Sequence, residues 1–131
     1  VMAEILKGLL KGYKELSEIN MALSEVWLIE TPLKGSKEKE LFEMLSTSLG
    51  SGESSSIAVA KNRGLTFASD DLVARREALL LNIPLTGTVG ILVRAVNSKV
   101  INLQRGDTIL SLMKEHGFYA PVESLDEILK P

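Results

Sequence analysis

The stretch GSGESSSIAVAKNRGLTFASDDLVARREALLLNIPLTGTVGILVRAV, residues 50–96, alternates helix-like and strand-like patterns. Leu65 to Ala68 is a short apolar run that predicts a buried strand, and Pro84 to Thr86 predicts a second, brief extended segment. Residues 71–81 have the apolar spacing of a helix, and another helical stripe follows Thr88. Strands that alternate with helices form parallel sheets covered on both faces. The stretch therefore predicts a three-layer α/β/α fold with a short, mostly parallel central sheet.

The flanking segments are mainly helical. Residues 1–20 carry one apolar face at helical spacing, and residues 37–46 predict a helix capped by Ser36. Between them, Val26 to Glu30 is a β-branched, apolar run that predicts a strand. Towards the C-terminus the pattern predicts helices over residues 107–116 and 122–130, with a short edge strand at Phe118 and Tyr119. We expect one domain over residues 1–131.

The composition limits the class of protein. A chain of 131 residues with 45 % hydrophobic residues can bury a core, whereas 5 % aromatic residues disfavour a base-stacking surface. The net charge of −2 predicts that any contact with nucleic acid uses a local basic patch. The absence of cysteine excludes disulfides, thiolate zinc sites and cysteine nucleophiles, and it fits a cytoplasmic protein. No apolar run approaches the roughly 18 residues of a membrane span, so we expect no membrane partner.

Three acidic residues stand where helices are predicted to begin. Glu53 lies in the first turn of the helix after the Gly-rich turn, and Asp70 and Asp71 directly follow the first strand. Ligands of open α/β sheets bind beyond the carboxyl ends of the strands, and carboxylates suit Mg²⁺ or Mn²⁺. We therefore expect Glu53, Asp70 and Asp71 to be metal ligands. The competing interpretation is that these acids simply cap their helices.

Hydroxyl and guanidinium groups follow in the same stretch. Thr86 and Thr88 flank a glycine at the predicted strand-to-helix turn, where they suit contact with a phosphate. Arg75 suits contact with the backbone of a nucleic acid. The competing interpretation is an N-cap in a glycine turn and an ordinary surface arginine.

Taken together, these segments resemble a PIN domain. The resemblance covers the chain and is best from Leu49 to Val96, in LGSGESSSIAVAKNRG, LTFASDDLVARREA and LNIPLTGTVGILVRA. The matching features are a Gly-x-Gly-Glu turn, an Ala-rich helix, a strand ending in Asp-Asp and a Thr-Gly-Thr turn. Each feature is weak alone, but their order and spacing make the match fairly specific.

The resemblance implies a Mg²⁺- or Mn²⁺-dependent ribonuclease. Such domains gather about four acids and are often the toxin half of a toxin–antitoxin pair and often dimeric, so RNA, an antitoxin-like protein and a second copy of the chain are the implied partners. Glu53 matches the acid at the start of the central helix, and Asp71 matches the acid after the following strand. Asp70 is the neighbour or alternative of Asp71, and Glu4 resembles an earlier helix acid.

The chain departs from the PIN pattern at its start. PIN domains begin with a central strand that carries an aspartate, and no such segment precedes the first helix here. We expect either that the sequence is N-terminally truncated or that this relative has lost the strand. Two alternatives to a nuclease therefore stay open: a catalytically degenerate module that dimerises or binds a partner, and a phosphate-ligand domain that uses the Gly50 turn.

Overall fold

The computed structural model describes residues 2–129. They form two compact units, and the boundary between Ala58 and Val59 falls within one helix.

The N-terminal unit is helical. It contains α1 (Met2–Leu10), a 3-10 turn (Lys14–Leu16), α2 (Ser17–Ser24), α3 (Gly35–Leu45) and the first part of α4 (Ser51–Arg63). The buried apolar side chains of this unit are Ala22, Leu45, Ile57 and Ala58.

The predicted single helix over residues 1–20 is wrong, because Gly12 divides it. α1 ends at Leu10, and Gly12 has a φ of +95°, a left-handed conformation that glycine adopts at helix ends. A 3-10 turn and α2 follow the break. Val1, at the start of the predicted helix, lies outside the described residues.

The predicted strand from Val26 to Glu30 is also wrong. Val26 has a φ of +63°, and the segment forms a turn after α2 in which the Leu28 N–H donates to the Ala22 carbonyl at 3.2 Å. Trp27 keeps 72 % of its surface exposed. Within residues 2–129 this run has no neighbouring strand to pair with, and β propensity without a partner does not make a strand.

α3 begins two residues earlier than its predicted start at Lys37. Lys34 rather than Ser36 is the N-cap, and the Lys34 N–H donates to Glu38 Oε2 at 2.6 Å. Glu38 therefore supplies the carboxylate that the helix start needs, from inside the first turns, and it is buried there.

The C-terminal unit confirms the predicted α/β character. After α4 it contains β1 (Phe67–Ala68), α5 (Leu72–Leu80), β2 (Leu85–Thr86), α6 (Thr88–Asn97), α7 (Leu103–Glu115) and α8 (Asp126–Leu129). β1 and β2 pair in parallel, with Phe67 opposite Leu85 and Ala68 opposite Thr86. Both strands lie within the segments predicted for them. The short parallel sheet is thus confirmed.

α5 packs through its alanines and not through its leucines. Its buried residues are Ala74 and Ala78, while Leu72 keeps 82 % and Leu80 keeps 68 % of its surface exposed. α5 contacts β2, and small alanine side chains let a helix lie close to a neighbouring strand. The leucines, which periodicity places in the core, therefore point outwards.

The main core of this unit lies where α6 packs against α7. Val89, Leu110 and Leu125 are buried together, and partly buried apolar side chains surround them. α7 starts at Leu103 rather than Asp107, because the Asn102 side chain caps it by accepting from the Arg105 N–H at 2.8 Å. Gly106 allows close approach here, since a Cβ would lie 2.7 Å from Leu125 Cδ1.

The C-terminal segment is less regular than predicted. Phe118 is not in a strand: its N–H donates to the Met113 carbonyl at 2.9 Å and its ring packs on the α6–α7 core. The predicted helix over residues 122–130 is shortened to α8, Asp126–Leu129, and Lys130 lies outside the described residues. In residues 2–129, none of the helices is long and apolar enough to cross a membrane.

Candidate functional site

The carboxyl ends of β1 and β2 lie side by side and lead into polar residues. The Ser69 N–H donates to the Thr86 carbonyl at 3.2 Å, which continues the parallel pairing beyond the last residues of both strands. Asp70 and Asp71 follow on the first strand, and Gly87 and Thr88 follow on the second. We call the set formed by Ser69, Asp70, Asp71, Arg75, Thr86, Gly87 and Thr88 the strand-end cluster.

Asp70 is bonded to the start of α6. Its Oδ1 and Oδ2 accept from the Thr88 N–H at 3.0 and 3.3 Å, and its Oδ2 also accepts from the Thr88 hydroxyl. Gly87 occupies the N-cap position of α6 and has no side chain that could accept a hydrogen bond from the first turn. Asp70 therefore satisfies a free N–H of α6 from eighteen residues away.

Asp71 is the N-cap of α5. Its Oδ1 accepts from the Ala74 N–H at 2.8 Å, and its own N–H donates to the Ser69 hydroxyl at 3.1 Å. A carboxylate at a helix N-terminus also interacts favourably with the helix dipole. Both aspartates of the pair thus act as helix caps, and both side chains remain exposed.

Arg75 turns inwards towards the strand ends. Its Nη1 donates to the Ser69 carbonyl at 2.7 Å and to the Thr86 carbonyl at 2.9 Å, and the residue is half-buried. One guanidinium nitrogen therefore joins the end of β1 to the end of β2. Contact of Arg75 with RNA stays a prediction.

Thr86 and Thr88 are half-buried, and they lie on either side of the turn. The Thr86 hydroxyl donates to the Gly87 carbonyl at 3.4 Å, and it lies against Gly90, where a Cβ would be 2.5 Å from Thr86 Oγ1. The Thr88 N–H and hydroxyl are both engaged by Asp70. A phosphate at Thr88 would therefore have to share these donors with Asp70.

Gly87 is a member of the cluster that sequence reasoning did not single out as a site residue. A Cβ at this position would lie 2.5 Å from Asp70 Oδ1 and 3.0 Å from Arg75 Nη1. In the sequence, a glycine between two threonines predicts a turn at this position. It does not indicate that Asp70 and Arg75 lie beside the glycine.

Glu4 and Glu53 belong to the N-terminal unit. Glu4 is exposed on α1. Glu53 is half-buried in the first turn of α4, and its carboxylate lies over Gly50, where a Cβ would be 2.6 Å from Glu53 Oε2. Their assignment as catalytic or metal-ligating residues stays a prediction.

The oxygen atoms of the strand-end cluster are of the chemical type that binds a hard divalent cation. Carboxylate and hydroxyl oxygens are the ligands that Mg²⁺ and Mn²⁺ prefer, and Mg²⁺ is often held by one or two carboxylates together with water and substrate phosphates. Over residues 2–129, no group of three or more acidic or histidine side chains is arranged to hold a metal ion. Asp70 and Asp71 therefore offer a two-carboxylate set at most.

A separate open groove runs along α7, with a volume of about 760 Å³. All of its lining residues belong to this one helix, among them Asp107, Ser111 and Leu112. It is therefore the exposed side of a helix, and none of the residues predicted for the site lines it.

The family comparison identifies the class of protein. The chain belongs to the PIN domain family, because a family model with that description matches residues 1–131. The family is DUF3368. The prediction made from the sequence motifs is thus confirmed, and membership places the chain in a nuclease-like superfamily. No curated protein and no solved structure is significantly similar to it.

Proposed function

We propose that this protein is a Mg²⁺- or Mn²⁺-dependent ribonuclease of the PIN class, which cleaves RNA phosphodiester bonds. The observation that carries the proposal is the placement of Asp70 and Asp71 just beyond the carboxyl end of β1, beside the carboxyl end of its parallel neighbour β2. This is the edge at which α/β sheets bind their ligands. Family membership supports the same reaction class.

In this proposal Asp70 and Asp71 hold the cation. A bound divalent ion would stabilise the charge that develops on a phosphodiester and would generate a nucleophile from water near neutral pH. The chain itself orients the two carboxylates: Thr88 fixes Asp70, and the first turn of α5 fixes Asp71. The contributions of Glu4 and Glu53, and contacts of Thr86, Thr88 and Arg75 with RNA, belong to the same proposal, as does a cytoplasmic location.

The decisive experiment separates the charge of the aspartates from their capping role. Asparagine retains a side-chain oxygen that can accept from a helix N–H, so Asp70→Asn and Asp71→Asn preserve the caps while each removes one negative charge. Mn²⁺ is titrated into the wild type and both variants by calorimetry, and cleavage of a labelled single-stranded RNA is followed with and without EDTA. We expect saturable Mn²⁺ binding and EDTA-sensitive cleavage in the wild type, both lost in the variants.

Asn102→Ala is the matched control. It removes a cap from α7, which lies outside the strand-end cluster, so it lowers stability without touching the proposed ligands. Wild-type Mn²⁺ affinity is expected in this variant. Wild-type protein that neither binds Mn²⁺ nor cleaves RNA would contradict the proposal.

The exposed face of α5 favours a second candidate function. Leu72, Leu79 and Leu80 are all exposed on one face of this helix, which also carries the exposed Arg76, and apolar side chains clustered on a surface are typical of an interaction site. A catalytically degenerate PIN domain would use such a face to dimerise or to bind an antitoxin-like partner protein. Sedimentation of the wild type and of Leu72→Asp/Leu80→Asp tests the dimer: a wild-type dimer that the variant converts to a monomer supports it, and a wild-type monomer opposes it.

A further inference from the structure

Asp70 and Arg75 share one small space beside Gly87. A Cβ on Gly87 would lie 2.5 Å from Asp70 Oδ1, 3.0 Å from Arg75 Nη1 and 3.2 Å from the Ser69 carbonyl oxygen. The first of these distances is shorter than real Cβ atoms show, and the other two are unusually tight. The volume that a side chain would take is therefore filled by a carboxylate, a guanidinium and a carbonyl.

The need for glycine at position 87 is steric and not conformational. Gly87 has φ −150° and ψ −175°, an extended backbone that any residue adopts. Alanine would fit the backbone without strain. The conflict arises because its methyl group would displace Asp70, Arg75 or both.

Arg75 fixes the backbone that carries Asp70. Its Nη1 holds the carbonyl of Ser69, the residue directly before Asp70, and the carbonyl of Thr86, directly before Gly87. Hydrogen bonds from a charged donor are about twice as strong as neutral ones. The guanidinium thus ties together the two turns that Asp70 bridges when it bonds to Thr88.

We propose that Arg75 and Gly87 are positioning residues for the Asp70 carboxylate. Arg75 clamps the two strand ends, and Gly87 leaves the space in which the carboxylate reaches Thr88. The consequence for metal affinity rests on the proposed function, whereas the positioning itself can be measured without any metal. The positioning role of Arg75 is exerted through its bonds to the Ser69 and Thr86 carbonyls and requires no contact with RNA.

The first test observes the Thr88 amide by NMR in metal-free protein. The Thr88 N–H donates to Asp70, so its chemical shift reports the carboxylate position. We expect Arg75→Met to move this resonance in the direction that Asp70→Ala moves it. Gly87 directly precedes Thr88, so Gly87→Ala is compared in the wild-type and Asp70→Ala backgrounds, and we expect the larger shift in the wild-type background, where the Asp70 carboxylate is present to be displaced. Arg76→Met is the matched control, since it removes the same charge from the adjacent, exposed position on α5.

The second test measures Mn²⁺ affinity by calorimetry. Loss of a group that orients a metal ligand typically weakens metal binding 10–100-fold, and we expect about tenfold or more for Arg75→Met and Gly87→Ala. Arg76→Met should bind as the wild type does. Arg75→Lys, which keeps a positive donor, should recover part of the loss.

The outcomes are distinguishable. A wild type without Mn²⁺ binding contradicts the proposed nuclease, and the Thr88 amide then decides the positioning proposal alone. An Arg75→Met variant that melts earlier but keeps the wild-type Thr88 resonance, or a Gly87→Ala shift that is the same with and without Asp70, shows a merely structural role and overturns the proposal. If Arg75→Met does not fold, the Gly87→Ala variant tests the positioning proposal, because it retains the charged side chains of both Asp70 and Arg75.

Discussion

Asp70 accepts from both the backbone N–H and the hydroxyl of Thr88, so one carboxylate links the end of β1 to the first turn of α6. This contact spans eighteen residues and ties β1 to α6, in addition to the two-residue pairing of β1 with β2. Asp70, which is predicted to bind a metal ion, is therefore also a hydrogen-bond acceptor within the fold.

We expect Thr88→Val to lower the free energy of unfolding by about 1 kcal/mol. The change removes the hydroxyl donor to Asp70 and preserves shape, and a hydrogen bond to a charged group typically contributes roughly 1.5–3 kcal/mol, less at exposed sites. Urea denaturation measures the effect. Thr108→Val is the control, because its hydroxyl bonds only to the exposed Gln104 carbonyl within α7, so its change should stay within about 0.5 kcal/mol.

Asp71→Ala should destabilise the protein by about 1 kcal/mol, within the range of roughly 0.5–2 kcal/mol for loss of an N-cap. Asp71→Asn should cost much less, because asparagine caps as well as aspartate. Thermal unfolding of both variants checks the difference. Equal losses in the two variants would show that charge, and not the hydrogen bond to the Ala74 N–H, stabilises the start of α5.

Gly106→Ala should destabilise the protein by about 1–3 kcal/mol, although alanine favours helices, because the new methyl group would overpack the core. Its Cβ would lie 2.7 Å from Leu125 Cδ1 and 3.1 Å from Val96 Cγ2. Leu125 is fully buried, so Leu125→Ala alone should cost roughly 2–5 kcal/mol.

The double variant Gly106→Ala/Leu125→Ala tests the cause of the Gly106 effect. If the methyl group clashes with Leu125, the two losses of stability should add to more than the loss in the double variant. Strictly additive losses in urea denaturation would mean that the conflict lies elsewhere.

Lys99→Gly should stabilise the protein by about 0.5 kcal/mol. Lys99 has a φ of +58° just after α6, a left-handed conformation that costs a residue with a Cβ roughly 1–2 kcal/mol, partly offset by the greater freedom of glycine in the unfolded chain. Ser98→Gly is the control, since Ser98 has a φ of −82° and gains nothing from glycine. A Lys99→Gly variant that melts below the wild type would contradict the expectation.

Local patterns were sufficient for the two paired strands of the C-terminal unit and for the aspartates after the first of them, but not for the edge strand predicted at Phe118 and Tyr119. The apolar run before Asp70 contains β1, and the segment from Pro84 to Thr86 contains β2, because each is short and flanked by breaks. The expected burial of the first strand is limited to Phe67, since Ala68 is exposed and Leu65 keeps 49 % of its surface exposed. The alternative that both aspartates cap helices is also supported by their contacts. Asp71 caps the helix that directly follows it, which sequence position predicts, whereas Asp70 bonds to the start of α6, eighteen residues away, which sequence position does not predict.

Sequence patterns gave wrong predictions where contacts with another element of the chain decide the structure. Val26 to Glu30 has the composition of a strand but forms a turn, because a strand needs a neighbour that no sequence window contains. The leucines of α5 have core spacing but lie outwards, because Ala74 and Ala78 are buried instead. The periodicity of a helix sequence identifies its apolar face, but it does not indicate which face packs against the sheet.

The sequence by itself determined the PIN family, the parallel α/β order and the acids at the helix starts, because motif order, apolar runs and caps are encoded within a few residues. Only the tertiary structure decided that Asp70 bonds to Thr88, that Arg75 turns to two carbonyls and that Gly87 leaves room for both. Those contacts join residues up to eighteen positions apart. Their distances depend on how β1, β2 and α6 pack, which no single segment specifies.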